Sequence, residues 1–144
     1  LAVAYHQMKR YPEAIVEYER IIRETPDWIE PYPLLVRLHL SMQNTDAALR
    51  LLKRQLSYRQ DATAYLNLAL AKHLKGEPSA DCLTPIEDSL RLNPRNATAY
   101  TTRAYILAAA GEIQKARLDY RAALKIDPEN GEAREGLRTI GPTR

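Results

Sequence analysis

A chain of 144 residues, 45% hydrophobic and 27% charged, has the size and balance of one ordinary globular domain, which excludes disordered and collagen-like classes. No run approaches the roughly 18 apolar residues of a membrane span, and no amino-terminal segment has the charged, apolar, small-residue order of a signal peptide. The formal charge of +3 is small, so its distribution says more than its sum.

The chain opens at Leu1 rather than at methionine, as expected of a piece excised from a longer protein. Residues 1 to 30 carry four Lys or Arg and six Asp or Glu, whereas residues 31 to 62 carry five and two, so the basic excess begins in the second quarter. Arg50, Lys53 and Arg54 cluster there at helical spacing; a solvated helix face accounts for them, and an anionic partner is the alternative. One cysteine, Cys82, leaves no internal disulfide framework and no cysteine-rich zinc site. It fits a reducing compartment, with the cytoplasm as the default.

Along the chain the apolar residues recur with a period. Leu1, Ala2 and Tyr5 precede Ala14 as Leu35, Val36 and His39 precede Ala48, so the first predicted helix lacks its opening turns and the array is expected to begin upstream. The helix that follows carries Ala14, Tyr18 and Ile22 and stops at Pro26. The same small, large, apolar, breaker order returns at intervals of 34 residues as Ala48, Leu52, Leu56, Gln60, then Cys82, Ile86, Leu90, Pro94, and finally Ala116, Tyr120, Leu124, Pro128. Another helix precedes each of the last three runs. Tyr32, Leu35 and Val36 mark the first of these, Tyr65, Leu68 and Ala69 the second, and Tyr100, Arg103, Ala104 and Leu107 the third, each set on one face. Tyr32, Tyr65 and Tyr100 are 33 and then 35 residues apart, which predicts a turn one residue longer in the third unit.

That third unit holds Pro78, Pro85 and Pro94 between Lys75 and Pro94. Pro78, just past Gly76, suits the first turn of a second helix, where an amide hydrogen has no partner anyway. Pro85 falls mid-helix by register. Either the helix runs through it with a kink, keeping Cys82 and Ile86 in register, or it restarts with Thr84 as cap, Pro85 in the first helical position and Glu87 reaching back. The unbroken spacing of 34 favours the continuous helix. Cys82 stands in the small buried column and reads as a packed, inert thiol. Tyr5, Tyr18, Tyr32, Tyr65, Tyr100 and Tyr120 read as core, and Trp28 is expected to pack in the turn between repeats. A last, polar helix from about Gly131 to Thr139, with Leu137 and Ile140 as its apolar contacts, reads as a terminal cap.

The order of aromatic, apolar, small and Tyr, then Ala, aromatic and Pro, met most closely from Tyr100 to Pro128, resembles the tetratricopeptide repeat. Arg103, Gln60 and Cys82 depart from the usual Leu, Pro and Ala. The resemblance covers about residues 1–130 and implies an all-α fold. This is a right-handed solenoid of antiparallel helix pairs, about three and a half tetratricopeptide repeats, with a capping helix and tail over 131–144. The period leads to stacking by itself, because a two-helix unit of this size cannot bury its apolar face alone.

Chemistry is sparse. His6, His39 and His73 sit late in successive first helices without sharing a helical position, which argues against a common metal. There is no phosphate-cradling glycine loop, no His-Glu-x-x-His and no nucleophile elbow, so no catalytic, cofactor-binding or metal-binding residue is assigned and no enzyme is expected. The resemblance implies instead an interaction scaffold, a module of a larger protein, whose first helices line a concave groove for a peptide or partner protein. By register the groove positions are Val3, Arg37, Thr63, Asn67, Leu70, His73, Thr98, Thr101, Thr102, Tyr105 and Ala109. Asn67 and the threonines would bond an extended peptide backbone while Tyr105 and Leu70 take an apolar side chain.

Lysine is missing from these positions, which argues against the carboxylate clamp by which one subfamily holds chaperone tails. Other readings are a spacer or self-assembly segment stacking through the Leu1 to Tyr5 helix, and a nucleic-acid binder, which the small charge and the groove short of basic residues disfavour. The family's arginine-bearing variant, finally, implies that Arg103 pairs with Asp119 on the partner helix. Removing Asp119 would then strand a buried charge, at about 3 to 5 kcal/mol.

Overall fold

The computed structural model describes residues 1–141; the last three residues of the expected tail lie outside the described residues. Among the described residues all regular structure is helical, and no helix is long and apolar enough to cross a membrane. The chain divides into two compact units at Gln60 and Asp61.

In unit one, α1 (Ala2–Gln7), α2 (Tyr11–Glu24), α3 (Pro31–Ser41) and α4 (Thr45–Tyr58) pack in chain order, each on its neighbour. The column residues Ala14, Tyr18 and Ile22 of α2 meet Tyr32 and Leu35 of α3 and Ala2 of α1 in one buried cluster. In unit two, α5 (Ala62–Leu74), α6 (Ser79–Leu92), α7 (Ala97–Ala109), α8 (Ile113–Ile126) and α9 (Gly131–Thr139) pack likewise, and α7 also touches α5 and α9. Cys82 and Ile86 share a cluster with Ala69, Ala99 and Ile106. Ala116 and Tyr120 share the next with Ala104, Leu107 and Ala133, flanked by Leu137 and Ile140.

Every residue of the small column, Ala14, Ala48, Cys82 and Ala116, is fully buried. A small side chain there lets adjacent helices approach closely, and Ala116 is fully buried in one cluster with Ala104, Leu107 and Tyr120. Ala116→Leu is therefore expected to lower the unfolding free energy by about 1 to 3 kcal/mol through overpacking, read from the shift in urea midpoint at constant slope.

Local chemistry sets the helix boundaries. Asn44, Asp61, Asn96 and Asn130 each accept a hydrogen bond from the amide three residues on, satisfying one of the open donors at the start of α4, α5, α7 and α9. Each turn between a first and a second helix passes through one left-handed residue: Lys9, Gln43, Gly76 and Gly111. Glycine adopts that conformation without cost, while Lys9 and Gln43 bear a penalty of about 1 kcal/mol for their Cβ atoms. From the left-handed residue to the small column is five residues at Lys9–Ala14, Gln43–Ala48 and Gly111–Ala116, and six at Gly76–Cys82. The extra residue of the third unit thus lies between Gly76 and Cys82.

Helix α6 runs unbroken through buried Pro85. Thr84 does not cap a new helix: its hydroxyl donates backward to the Ala80 carbonyl at 3.4 Å, leaving the fold of α6 continuous. Pro78 stands one position earlier than the sequence suggests, as the N-cap residue, in an extended conformation. Cys82 is fully buried, with Sγ 3.6 Å from the Glu77 carbonyl, and burial pushes its thiol up, away from thiolate reactivity. The expectation for Trp28 is corrected: its ring is half exposed beyond the end of α2, because Ile29 and Pro31 fill the buried positions of that turn. At Arg103 the geometry is specific, with Nε donating to Asp119 Oδ2 at 2.7 Å and Nη2 to Oδ1 at 2.8 Å across the α7–α8 pair.

Candidate functional site

The face of α7 turned away from its core stripe carries Thr98, Thr102, Tyr105 and Ala109, spaced by four, three and four residues so that they line one side. In unit two this face borders an open cleft of about 850 Å³. Leu70 of α5 closes one edge, Tyr120 of α8 contributes to its wall, and α9 forms the opposite side through Glu132, Glu135, Thr139 and Ile140. The ring of Tyr105 is half exposed in the cleft, steadied by an edge-to-face contact with the His73 imidazole at 5.3 Å between centroids.

The cleft is mostly apolar, and its ionisable groups are acidic. Burial holds the Tyr120 phenol proton on, with Tyr105 and Glu132 pushing in the same direction. The Arg138 guanidinium, 2.5 Å away, holds the Glu135 carboxyl below its ordinary value, so Glu135 is ionised at neutral pH. Among the described residues, no lysine or arginine lines the cleft.

Of the groove positions read from the sequence, Leu70, Thr98, Thr101, Thr102, Tyr105 and Ala109 all line this one cleft, and His73 reaches it through Tyr105. Thr101 is there without a free hydroxyl hydrogen: it is buried and donates to the Ala97 carbonyl at 3.0 Å, so it does not join Thr98 and Thr102 as a donor to a ligand. Thr63 and half-buried Asn67 stand on α5 outside the lining. Arg37, exposed on α3, and Val3, exposed on α1, belong to unit one. The wall supplied by α9 was not visible as part of a site, because its residues read as a polar cap; the close approach of α9 to the Tyr120 ring at Gly136 is seen only in the structure.

Unit one has a smaller cleft of about 420 Å³ between α2, α3 and α4, floored by Ile22, Leu35 and Ala47 and edged by Glu19, Arg23, Arg50 and Arg54. Buried His39 also lines it; burial lowers its basicity, partly offset by Glu19 and reinforced by Arg50, so its ring is neutral at neutral pH.

Two family models, both described as tetratricopeptide repeat, match residues 5–72 and 97–130. The chain belongs to the tetratricopeptide repeat family, a class of protein-interaction modules. No curated protein sequence matches it. Among solved structures, MamA superposes with a TM-score of 0.86 at 19% identity, over 97% of this chain and 82% of that one. YrrB, a tetratricopeptide protein with an unusual peptide-binding site, gives 0.74 at 15% identity over 96% and 72%. The first tetratricopeptide domain of Spaghetti (RPAP3), bound to the HSP90 peptide SRMEEVD, gives 0.68 at 22% over 73% and 83%. At these identities the likeness is one of fold.

Proposed function

We propose that this chain is a peptide-binding adaptor module whose ligand lies in the unit-two cleft, with an apolar side chain held between Tyr105 and α9. The observation that carries this reading is the convergence of six register-defined groove positions on one apolar cleft that a half-exposed tyrosine enters. A concave, mostly apolar site with few polar groups is the usual form of a recognition pocket, and a rigid aromatic at its centre is the usual anchor. Peptide binding by YrrB and RPAP3 supports the class of ligand.

The charge pattern narrows the ligand further. Glu132 on the rim, with Glu135 whose charge Arg138 largely offsets, disfavours a ligand of the acidic SRMEEVD kind and favours a peptide with Lys or Arg beside its apolar residue. A binding interaction alone needs no reacting group, in keeping with a family fold that is not catalytic.

Selection of a random peptide phage library on the folded chain tests this. The expected outcome is a consensus of one large apolar residue flanked by basic ones. A synthetic consensus peptide should lose about tenfold or more in affinity for Tyr105→Ala, the usual cost of truncating an aromatic hot spot. Failure to enrich any consensus, or equal binding by a folded Tyr105→Ala chain, would overturn the reading.

A further inference from the structure

The structure assigns a second binding site to unit one, of opposite charge to the first: the α2–α3–α4 cleft takes a short acidic peptide segment with an apolar side chain at its centre. Three arginines from two helices meet at this cleft, Arg23 from α2 and Arg50 and Arg54 from α4. The last two are four residues apart and so share a helix face. Elsewhere in the same unit, Arg10 and Arg20 are tied to Glu13, Glu17 and Glu24. Arg23, Arg50 and Arg54 are all exposed at the edge of the cleft.

The ionisable groups lining the cleft are these three guanidiniums, the carboxylate of Glu19, and a His39 kept neutral by burial. The site is therefore cationic at neutral pH. Guanidinium groups with open donors match carboxylates two bonds at a time, which sets them apart from lysines at the same positions. Beneath them Ile22, Leu35 and Ala47 are buried, and Leu51 is half-buried. An apolar floor has nothing to offer a lone inorganic anion or a sugar–phosphate backbone. It suits an aliphatic side chain flanked by glutamates or aspartates, and the cleft volume of about 420 Å³ is sufficient for one such side chain with its neighbours.

The site is independent of the unit-two cleft, since it uses other helices, the opposite charge and none of the same residues. It draws Arg50 and Arg54 from the basic stretch of the second quarter, where Lys53 stands on α4 outside the cleft lining and serves as a built-in control.

Fluorescence anisotropy with a labelled peptide of one leucine flanked by three glutamates on each side tests the assignment. Binding is expected to weaken about tenfold for Arg50→Ala/Arg54→Ala, whose exposed side chains can be removed without unfolding, checked by circular dichroism. Lys53→Ala removes one of the same charges on the same helix and should change affinity less than twofold, and Tyr105→Ala should leave it unchanged. A peptide with glutamine in place of glutamate should fail to bind, and one with glycine in place of leucine should bind several-fold more weakly. A loss for Lys53→Ala as large as half, on a logarithmic scale, of that for Arg50→Ala/Arg54→Ala would reduce the effect to bulk charge and overturn the assignment. So would binding of the glutamine peptide, full competition by inorganic pyrophosphate at the peptide's own concentration, or tighter binding of single-stranded RNA through the same arginines.

Discussion

Asp119→Ala is expected to lower the unfolding free energy by about 2 to 3 kcal/mol in urea titration, below the 3 to 5 typical of a fully buried pair. The two hydrogen bonds of 2.7 and 2.8 Å make Asp119 the counter-charge that Arg103 needs, and they raise the guanidinium's basicity first through that bonding and then through attraction, against the cost of burial. The burial is unequal, however. Arg103 keeps 26% of its side chain in solvent against 10% for Asp119, and its guanidinium lies 5.5 Å from the centre of the Tyr100 ring. Once Asp119 is gone, water and the ring recover part of the loss. The converse substitution, Arg103→Leu, leaves the more deeply placed carboxylate without its partner and should cost at least as much. Replacing both by leucine should return stability to within about 1 kcal/mol of the parent, because an apolar pair suits the column that every other unit fills with Leu. A single-site loss below about 1 kcal/mol would mean that Arg103 turns fully to solvent.

Gly136→Ala should destabilise the chain by about 1 to 2 kcal/mol, although alanine in a helix is normally worth about 1 kcal/mol over glycine. A Cβ built on Gly136 lies 2.2 Å from Tyr120 Cζ and 2.5 and 2.7 Å from two further ring carbons. The ring cannot withdraw, since Tyr120 is buried against Ala104, Ala116 and Ala133. Instead α9 must lift off α8, taking with it the wall of the unit-two cleft. Hydrogen exchange should accordingly speed up across Gly131–Thr139 before it does in α7 or α8, and binding of the selected peptide should weaken with the wild-type Tyr105 still present. In a Tyr120→Leu background the same substitution should be neutral or stabilising, because the ring carbons it meets are absent. Stabilisation by Gly136→Ala alone would show that the ring has room to move.

These two sites also show how far the sequence carried. The Arg103–Asp119 pairing was legible because an arginine in an apolar column stands out, and the resemblance to the family's arginine-bearing variant implied an aspartate partner in the register of Asp119. Gly136 gave no such sign, since an amphipathic cap with a glycine in it reads as a weak helix rather than as one pressed onto an aromatic ring. Thr101 was misjudged as a donor for a related reason. Register placed it at the groove without showing that a threonine inside a helix prefers to bond the carbonyl four residues back. Trp28 was expected to pack in the turn between repeats, but smaller neighbours, Ile29 and Pro31, fill the buried positions there and leave it half exposed.

The period of 34, the small and large columns, the terminal breakers and the longer third turn are properties of neighbours in sequence. They follow from helical geometry and side-chain volume, and so did the number of helices, their order and their buried faces. What converges on a cleft depends on contacts between residues distant in the chain. Only the tertiary structure set α9 against α7 to make a walled, acidic cleft within unit two, and drew three arginines from α2 and α4 to the edge of one apolar floor in unit one. Helix periodicity determines which side chains share a face, whereas packing decides which faces look at one another.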